Sequence, residues 1–230
     1  MWSEWKRALR GRVKVFLPSP MKRVFRELER RGIRPDELAT LEVFGGAGDW
    51  HAIDYVGAVR WLEVWEIKPE FERSLRRNLP GAEIRITNSF EEMKRTPRRY
   101  DLIVVDNPAS TFGADRSRPG SLAAQGEGVD EHCEHFDLFP DVLRLATRSA
   151  VLILNVIPHV TKDARKAHPY VFNPRQLAWR SRLYGTPNPE RVPFGRMLST
   201  YERLLAAEGF ALEWHFFERR AFSTPAAGRR

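Results

Sequence analysis

The chain has 230 residues, 42% hydrophobic and 30% charged, which is ordinary composition for a globular protein and enough for one sizeable core. No apolar run reaches the roughly 18 to 20 residues of a membrane span, which excludes an integral helical membrane protein, and the single cysteine, Cys133, excludes an intrachain disulfide and a cysteine-built metal site. The net charge of +8 is uneven: residues 1–31 hold ten Lys/Arg against three Asp/Glu and residues 157–196 hold eight against two, around an acidic centre, a pattern that attracts anionic partners unless the arginines are merely solvated.

In chain order, residues 1–17 mix Trp2, Trp5, Leu9, Val13 and Phe16 with Lys and Arg and predict a short amphipathic helix in an N-terminal arm, counted as 1–37, ahead of a domain at 38–230. The N-terminus lacks the continuous apolar segment of a secretory signal, so a cytoplasmic location is expected. Ser19-Pro20 predicts a capped second helix carrying Val24, Phe25 and Leu28, with Gly32 as its stop. A strand at 41–44, a helix at 49–59 and a strand at 61–67 follow. Next come a helix at 69–79 ended by Pro80-Gly81, a strand at 83–87, a short helix at 90–95 and a strong strand at 100–105. Residues 107–135 are too rich in Gly, Ser, Pro and Asp, and too long, for a routine connection, which suggests a lid. A helix at 140–148, a strand at 150–156, helices at 174–184 and 194–208 and a last strand at 210–218 complete the pattern. Alternation of strand and helix predicts an α/β fold, a doubly wound, mostly parallel sheet with a helical insertion after the fifth strand.

The most informative stretch is Glu42-Val43-Phe44-Gly45-Gly46-Ala47-Gly48-Asp49, a buried strand entering a glycine turn. Glycines allow a tight turn and a close approach of backbone to ligand. Glu66 closes the next strand 18 residues after Gly48, where a carboxylate can accept from both hydroxyls of a ribose. The third strand ends at Thr87-Asn88-Ser89, within reach of an adenine amino group, and Asp106-Asn107-Pro108 follows the fourth.

In these residues the chain resembles the class I S-adenosylmethionine-dependent methyltransferases over roughly residues 38–156. The resemblance implies a Rossmann-like methyltransferase fold and S-adenosylmethionine as cofactor. It implies cofactor contacts at Glu42, Phe44, Gly45, Gly46, Gly48, Glu66, Asn88, Ser89 and Asp106, with Asp106 and Asn107 also facing the acceptor. Phe44-Gly45-Gly46 departs from the commoner Gly-x-Gly-x-Gly, and Asn107-Pro108-Ala109-Ser110 lacks the second proline and the aromatic of the amino-methyltransferase motif. A nicotinamide enzyme is the main competitor, but His51 stands where its fingerprint needs a third glycine. A non-catalytic binding protein built on the same fold is the alternative from another class.

Glu131-His132-Cys133-Glu134-His135-Phe136-Asp137 offers His132 and His135 as candidate general bases. With Asp106 they could instead hold a divalent metal, although no metal is expected; a polar helix entry capped by Asp137 is the bland reading. His51, His159 and Asn155 are lesser candidates near the same cleft. In 157–196, Lys162, Arg165, Lys166, Arg175, Arg180 and Arg182 interleave with Tyr170, Phe172, Trp179 and Tyr184, a mixture that contacts phosphates and stacks bases, so a nucleic acid or another anionic acceptor is the expected partner.

Overall fold

The computed structural model describes residues 19–105, 138–160 and 174–217. Helix α1, Pro20–Arg30, begins where the Ser19 side chain accepts the Lys22 N–H at 3.0 Å, and buries Met21, Phe25 and Leu28, spaced to share one face. Strand β1 is Ala39–Glu42, β2 is Trp61–Glu66, β3 is Glu83–Ile86, β4 is Tyr100–Val105 and β5 is Ala146–Leu154. They form one sheet in the order β3-β2-β1-β4-β5 with every pairing parallel. Connections from β1 run outward in both directions, so the order reverses between β1 and β4, which is where doubly wound sheets open a ligand crevice at the strands' carboxyl ends.

Period-two alternation splits the strands between two cores. Leu41, Trp65, Ile103 and Val105 face one layer with Met93, while Leu62, Val64, Leu102 and Val104 face the other, under Met21 and Phe25 of α1. Helix α2, Glu72–Asn78, follows a turn of 3-10 helix at Pro69–Phe71, and α3, Ser89–Arg95, precedes β4. Helix α4, Phe139–Arg144, packs with α5, Pro174–Tyr184, and α6, Phe194–Ala207, in a third cluster around Phe139, Leu143, Tyr184 and Met197.

Four expected elements differ most clearly. In place of a helix over 49–59 there is one 3-10 turn, Ala52–Asp54. Tyr55 leaves helical geometry (φ −135°) because its ring stacks on Phe25 at 5.1 Å and its hydroxyl donates to the buried Glu42. Gly57 and the β-branched Ile53, Val56 and Val59 offer little intrinsic helix propensity against that pull. The helix expected over 140–148 stops at Arg144, and β5 starts at Ala146 rather than 150. Thr147 Oγ1 donates to Asp101 Oδ1 at 3.1 Å, and the β4–β5 register shifts between Tyr100 and Leu102, so a polar run joins the sheet as an irregularity. Residues 210–217 form no strand, and residue 218 lies outside the described residues. Trp214 lies under the Arg31 guanidinium at 4.4 Å and Phe217 packs on Phe194 at 4.3 Å, so side-chain contacts hold the segment where a ladder was expected.

Candidate cofactor site

The site starts where β1 runs out. Beyond Glu42 the Val43 N–H still donates to the Val104 carbonyl of β4 at 3.0 Å, and the Gly45 N–H then donates to the Trp65 carbonyl of β2 at 2.9 Å. The chain therefore steps from one neighbour to the other across the carboxyl edge at the point of reversal. A Cβ on Gly45 would overlap Cγ1 of Val64, so glycine is demanded there by the approach of the turn to β2. Gly48 adopts φ +70° with Leu75 and Leu79 directly beneath it, whereas a Cβ on Gly46 (φ +55°) would meet open space.

Glu66, the last residue of β2, is buried against this turn. Its Oε2 accepts the Gly46 N–H at 2.7 Å and its Oε1 the Lys68 N–H at 2.9 Å. Burial pushes the Glu66 carboxyl up from the usual range, and the two amide bonds and the Lys68 charge offset part of that rise. Each carboxylate oxygen keeps a second lone pair, which suits a ligand presenting two hydroxyls.

The other expected contacts divide by what they touch. Glu42 is buried and accepts from Tyr55. Ser89 Oγ donates to the Val43 carbonyl at 2.6 Å, and Asn88 Oδ1 accepts the Phe90 N–H at 3.1 Å as the cap of α3. The Ser89 bond ties the start of α3 to the chain just beyond β1, while the Asn88 cap is local to α3, a framing role the sequence did not reveal. Phe44 packs on Phe90 with ring centroids 6.1 Å apart. His51 is buried with its ring 5.6 Å from that of the exposed Trp50. The Asn155 N–H extends the β4–β5 ladder to the Val105 carbonyl at 3.2 Å.

Asp106, Asn107, His132 and His135 lie outside the described residues, as do residues 1–18 and 161–173 of the two basic segments. Among the described residues, no group of three His, Cys, Asp or Glu could hold a metal, and no helix is long and apolar enough to cross a membrane.

The insertion corrects part of the phosphate-and-stacking expectation. Arg180 is only 2% exposed; Nε donates to the Pro189 carbonyl at 2.7 Å, Nη2 to the Ile157 carbonyl, and the guanidinium lies over the Tyr184 ring. Tyr184 is buried and Trp179 partly so in the third core cluster, because an aromatic stripe on a helix beside a sheet gains more from the core than from solvent. His159 pairs with Arg191 in an isolated antiparallel bridge of the same cap.

No protein-family model matches the chain, and no curated protein matches it. Among solved structures it is similar to the N-methyltransferase NodS from Bradyrhizobium japonicum WM9, with 12% identity and a TM-score of 0.42 over 72% of this chain and 83% of that one. It is similar to the ribosomal protein L11 methylase from Lactobacillus delbrueckii subsp. bulgaricus, with 16% identity and a TM-score of 0.40 over 63% of this chain and 62% of that one. An S-adenosylmethionine-dependent methyltransferase from Clostridium acetobutylicum ATCC 824 gives 9% identity and a TM-score of 0.40 over 66% of this chain and 55% of that one. The match to the Thermoplasma acidophilum protein 1320 spans half, 50%, of that protein's own length and 44% of this chain. At these identities and TM-scores the likenesses add no argument about the site, which stands on its own geometry.

Proposed function

We propose that the chain is an S-adenosylmethionine-dependent methyltransferase, with 38–230 as the catalytic unit and 1–37 as an arm. One observation carries the reading: the Gly46 amide donates inward to the Glu66 carboxylate. A dinucleotide site needs amides turned outward to cradle a pyrophosphate. Here the Gly45, Gly46 and Gly48 N–H groups donate to Trp65, Glu66 and Gly45 within the protein, and an anionic side chain stands at the lip. The Glu66 carboxylate suits a ribose in either kind of site, but a turn whose glycine amides are already spent within the protein offers little to a pyrophosphate, which favours S-adenosylmethionine, a ribose ligand without one, over NAD.

When bound, the cofactor supplies an electrophilic methyl on a sulfonium. The protein's own part is to hold the ribose at Glu66, shape the pocket with the turn at 45–48, and align an acceptor at the β4 and β5 ends, where Asp106, Asn107, His132 and His135 follow in sequence. For the acceptor we keep an anionic molecule, a nucleic acid or a phosphorylated or hydroxylated metabolite, on the charge of 157–196 and of the arm.

The deciding experiment is calorimetric titration with S-adenosylmethionine and S-adenosylhomocysteine, with NAD as control and Glu66→Ala beside the wild type. Micromolar binding of both, lost in Glu66→Ala, supports the reading. Tight NAD binding, or no binding of either sulfur compound, refutes it. Methyl transfer to nucleic acid, tested across a salt series, then separates the acceptor classes.

A further inference from the structure

Helix α2 ends directly under the glycine turn. Its last residue, Asn78, donates from Nδ2 to the Ala47 carbonyl at 2.9 Å, across 31 positions of sequence. The two flanking side chains, Leu75 and Leu79, are buried and close against Gly48, so the final turn of α2 is the floor on which the glycine turn rests. Ala47 sits between Gly46 at φ +55° and Gly48 at φ +70°, the stretch with the greatest intrinsic backbone freedom near the site. Freedom of that kind must be removed before a ligand binds, either by ties within the protein or at the expense of affinity. Gly46 is tied through its amide to Glu66; Ala47 is tied through its carbonyl to Asn78.

We propose that Asn78 is a positioning residue of the cofactor pocket: its side-chain amide holds the Ala47 carbonyl and with it the wall that contacts the part of the ligand beyond the ribose. This rests on the cofactor reading above. Glu66, on β2, takes the ribose, so whatever the ribose carries toward the β1–β4 reversal runs along residues 45–48. A ligand that ends at the ribose does not use that wall. The prediction is therefore selective, and a general loosening of the fold would not produce it.

The experiment titrates the wild type, Asn78→Ala and Asn78→Asp with S-adenosylhomocysteine and, separately, with adenosine, and records each protein's melting temperature. Asparagine and aspartate are nearly isosteric, but a carboxylate has no proton to offer the Ala47 carbonyl. The expected result is a loss of about 5- to 10-fold in S-adenosylhomocysteine affinity for Asn78→Ala, the scale of one neutral hydrogen bond. Asn78→Asp loses at least as much, while adenosine affinity stays within about 2-fold and melting is little changed, because Asn78 is half-exposed. Unchanged affinity for both ligands, or a parallel loss for both, overturns the positioning role while leaving the cofactor reading in place. A wild type that binds no S-adenosylhomocysteine removes that reading, and the role of Asn78 with it.

Discussion

The Tyr100 hydroxyl donates to Glu63 Oε2 at 2.7 Å, joining β4 to β2 over the top of β1. Glu63 is fully buried, and Trp65 Nε1, Arg98 and Arg85 also bond to it at 2.7, 2.6 and 3.1 Å. Burial pushes its carboxyl up, but those donors outweigh burial and leave it below the usual range, while burial and the Glu63 charge push the Tyr100 hydroxyl far above its own. Glu63→Ala leaves two buried donors, Trp65 and Tyr100, without their acceptor, at about 1–3 kcal/mol each, measured by urea unfolding. Because the folded protein holds this proton less tightly than the unfolded chain, the stabilisation is complete above about pH 4.3 and is lost as pH falls through the lowered folded value. Glu63→Gln should flatten that acid limb, and an unchanged slope would mean that another group carries it.

Gly45→Ala should be the most damaging single change in the glycine turn. The new methyl group meets the Val64 side chain inside the core, so either β2 or the turn must move, at a cost of about 1–3 kcal/mol. Thermal unfolding measures that loss, and titration with S-adenosylhomocysteine should show binding gone. A variant that melts and binds like the wild type would show that the turn does not lie against β2 as described.

Ser89 separates framing from contact. Ser89→Ala leaves the Val43 carbonyl without the hydroxyl that satisfies it, which costs about 1–3 kcal/mol of stability. Cofactor affinity should fall less than in Asn78→Ala, since the hydroxyl is spent on backbone. A large loss of affinity at unchanged stability would return Ser89 to the ligand itself.

Cofactor affinity should weaken on mild acidification. On the proposed reading the ribose is held by the ionised Glu66, whose proton affinity is raised by burial, so binding declines as pH falls through that raised value, already above the ordinary glutamate range of about 4.3. A pH series of titrations reads the midpoint, and Glu66→Gln, which cannot ionise, should show no such decline. Affinity that stays flat into the acid range would place the ribose elsewhere.

Arg180→Lys tests the cap over the β5 end. Lysine cannot reproduce the planar fork that meets the Pro189 and Ile157 carbonyls together, and the loss should be about 1.5–3 kcal/mol. Salt should change it little, because the charge is buried. If the variant keeps its stability but loses affinity for polyanions, Arg180 belongs to the binding surface after all.

Much of this architecture was legible in local pattern. The strand at 100–105 and the helix at 174–184 fall within the bounds expected of them, and the Ser19-Pro20 start of α1 is a cap readable from two residues. Glu66 closes β2, as the alternation of strand and helix led us to expect. What escaped notice depends on partners distant in sequence. Nothing around Asn78 announces Ala47, and nothing in Trp61–Glu66 says that Glu63 faces two arginines and a tyrosine. Tyr55 ends its own helix for the sake of Phe25 and Glu42, a tertiary preference that no local propensity encodes. Arg180 and Tyr184 looked like a binding surface because composition carries no sign of which face of a helix turns inward.

The bonds that frame the glycine turn share a direction along the chain. Trp65, Glu66, Asn78 and Ser89 all follow residues 43–48, and β4, which pairs with β1, follows later still. As the chain leaves the ribosome the turn emerges before anything that shapes it. It acquires its form only once β2, α2, the start of α3 and β4 have closed around it, so assembly of this pocket is a late event in folding, and a nascent chain stopped before residue 105 would have the turn but not the site.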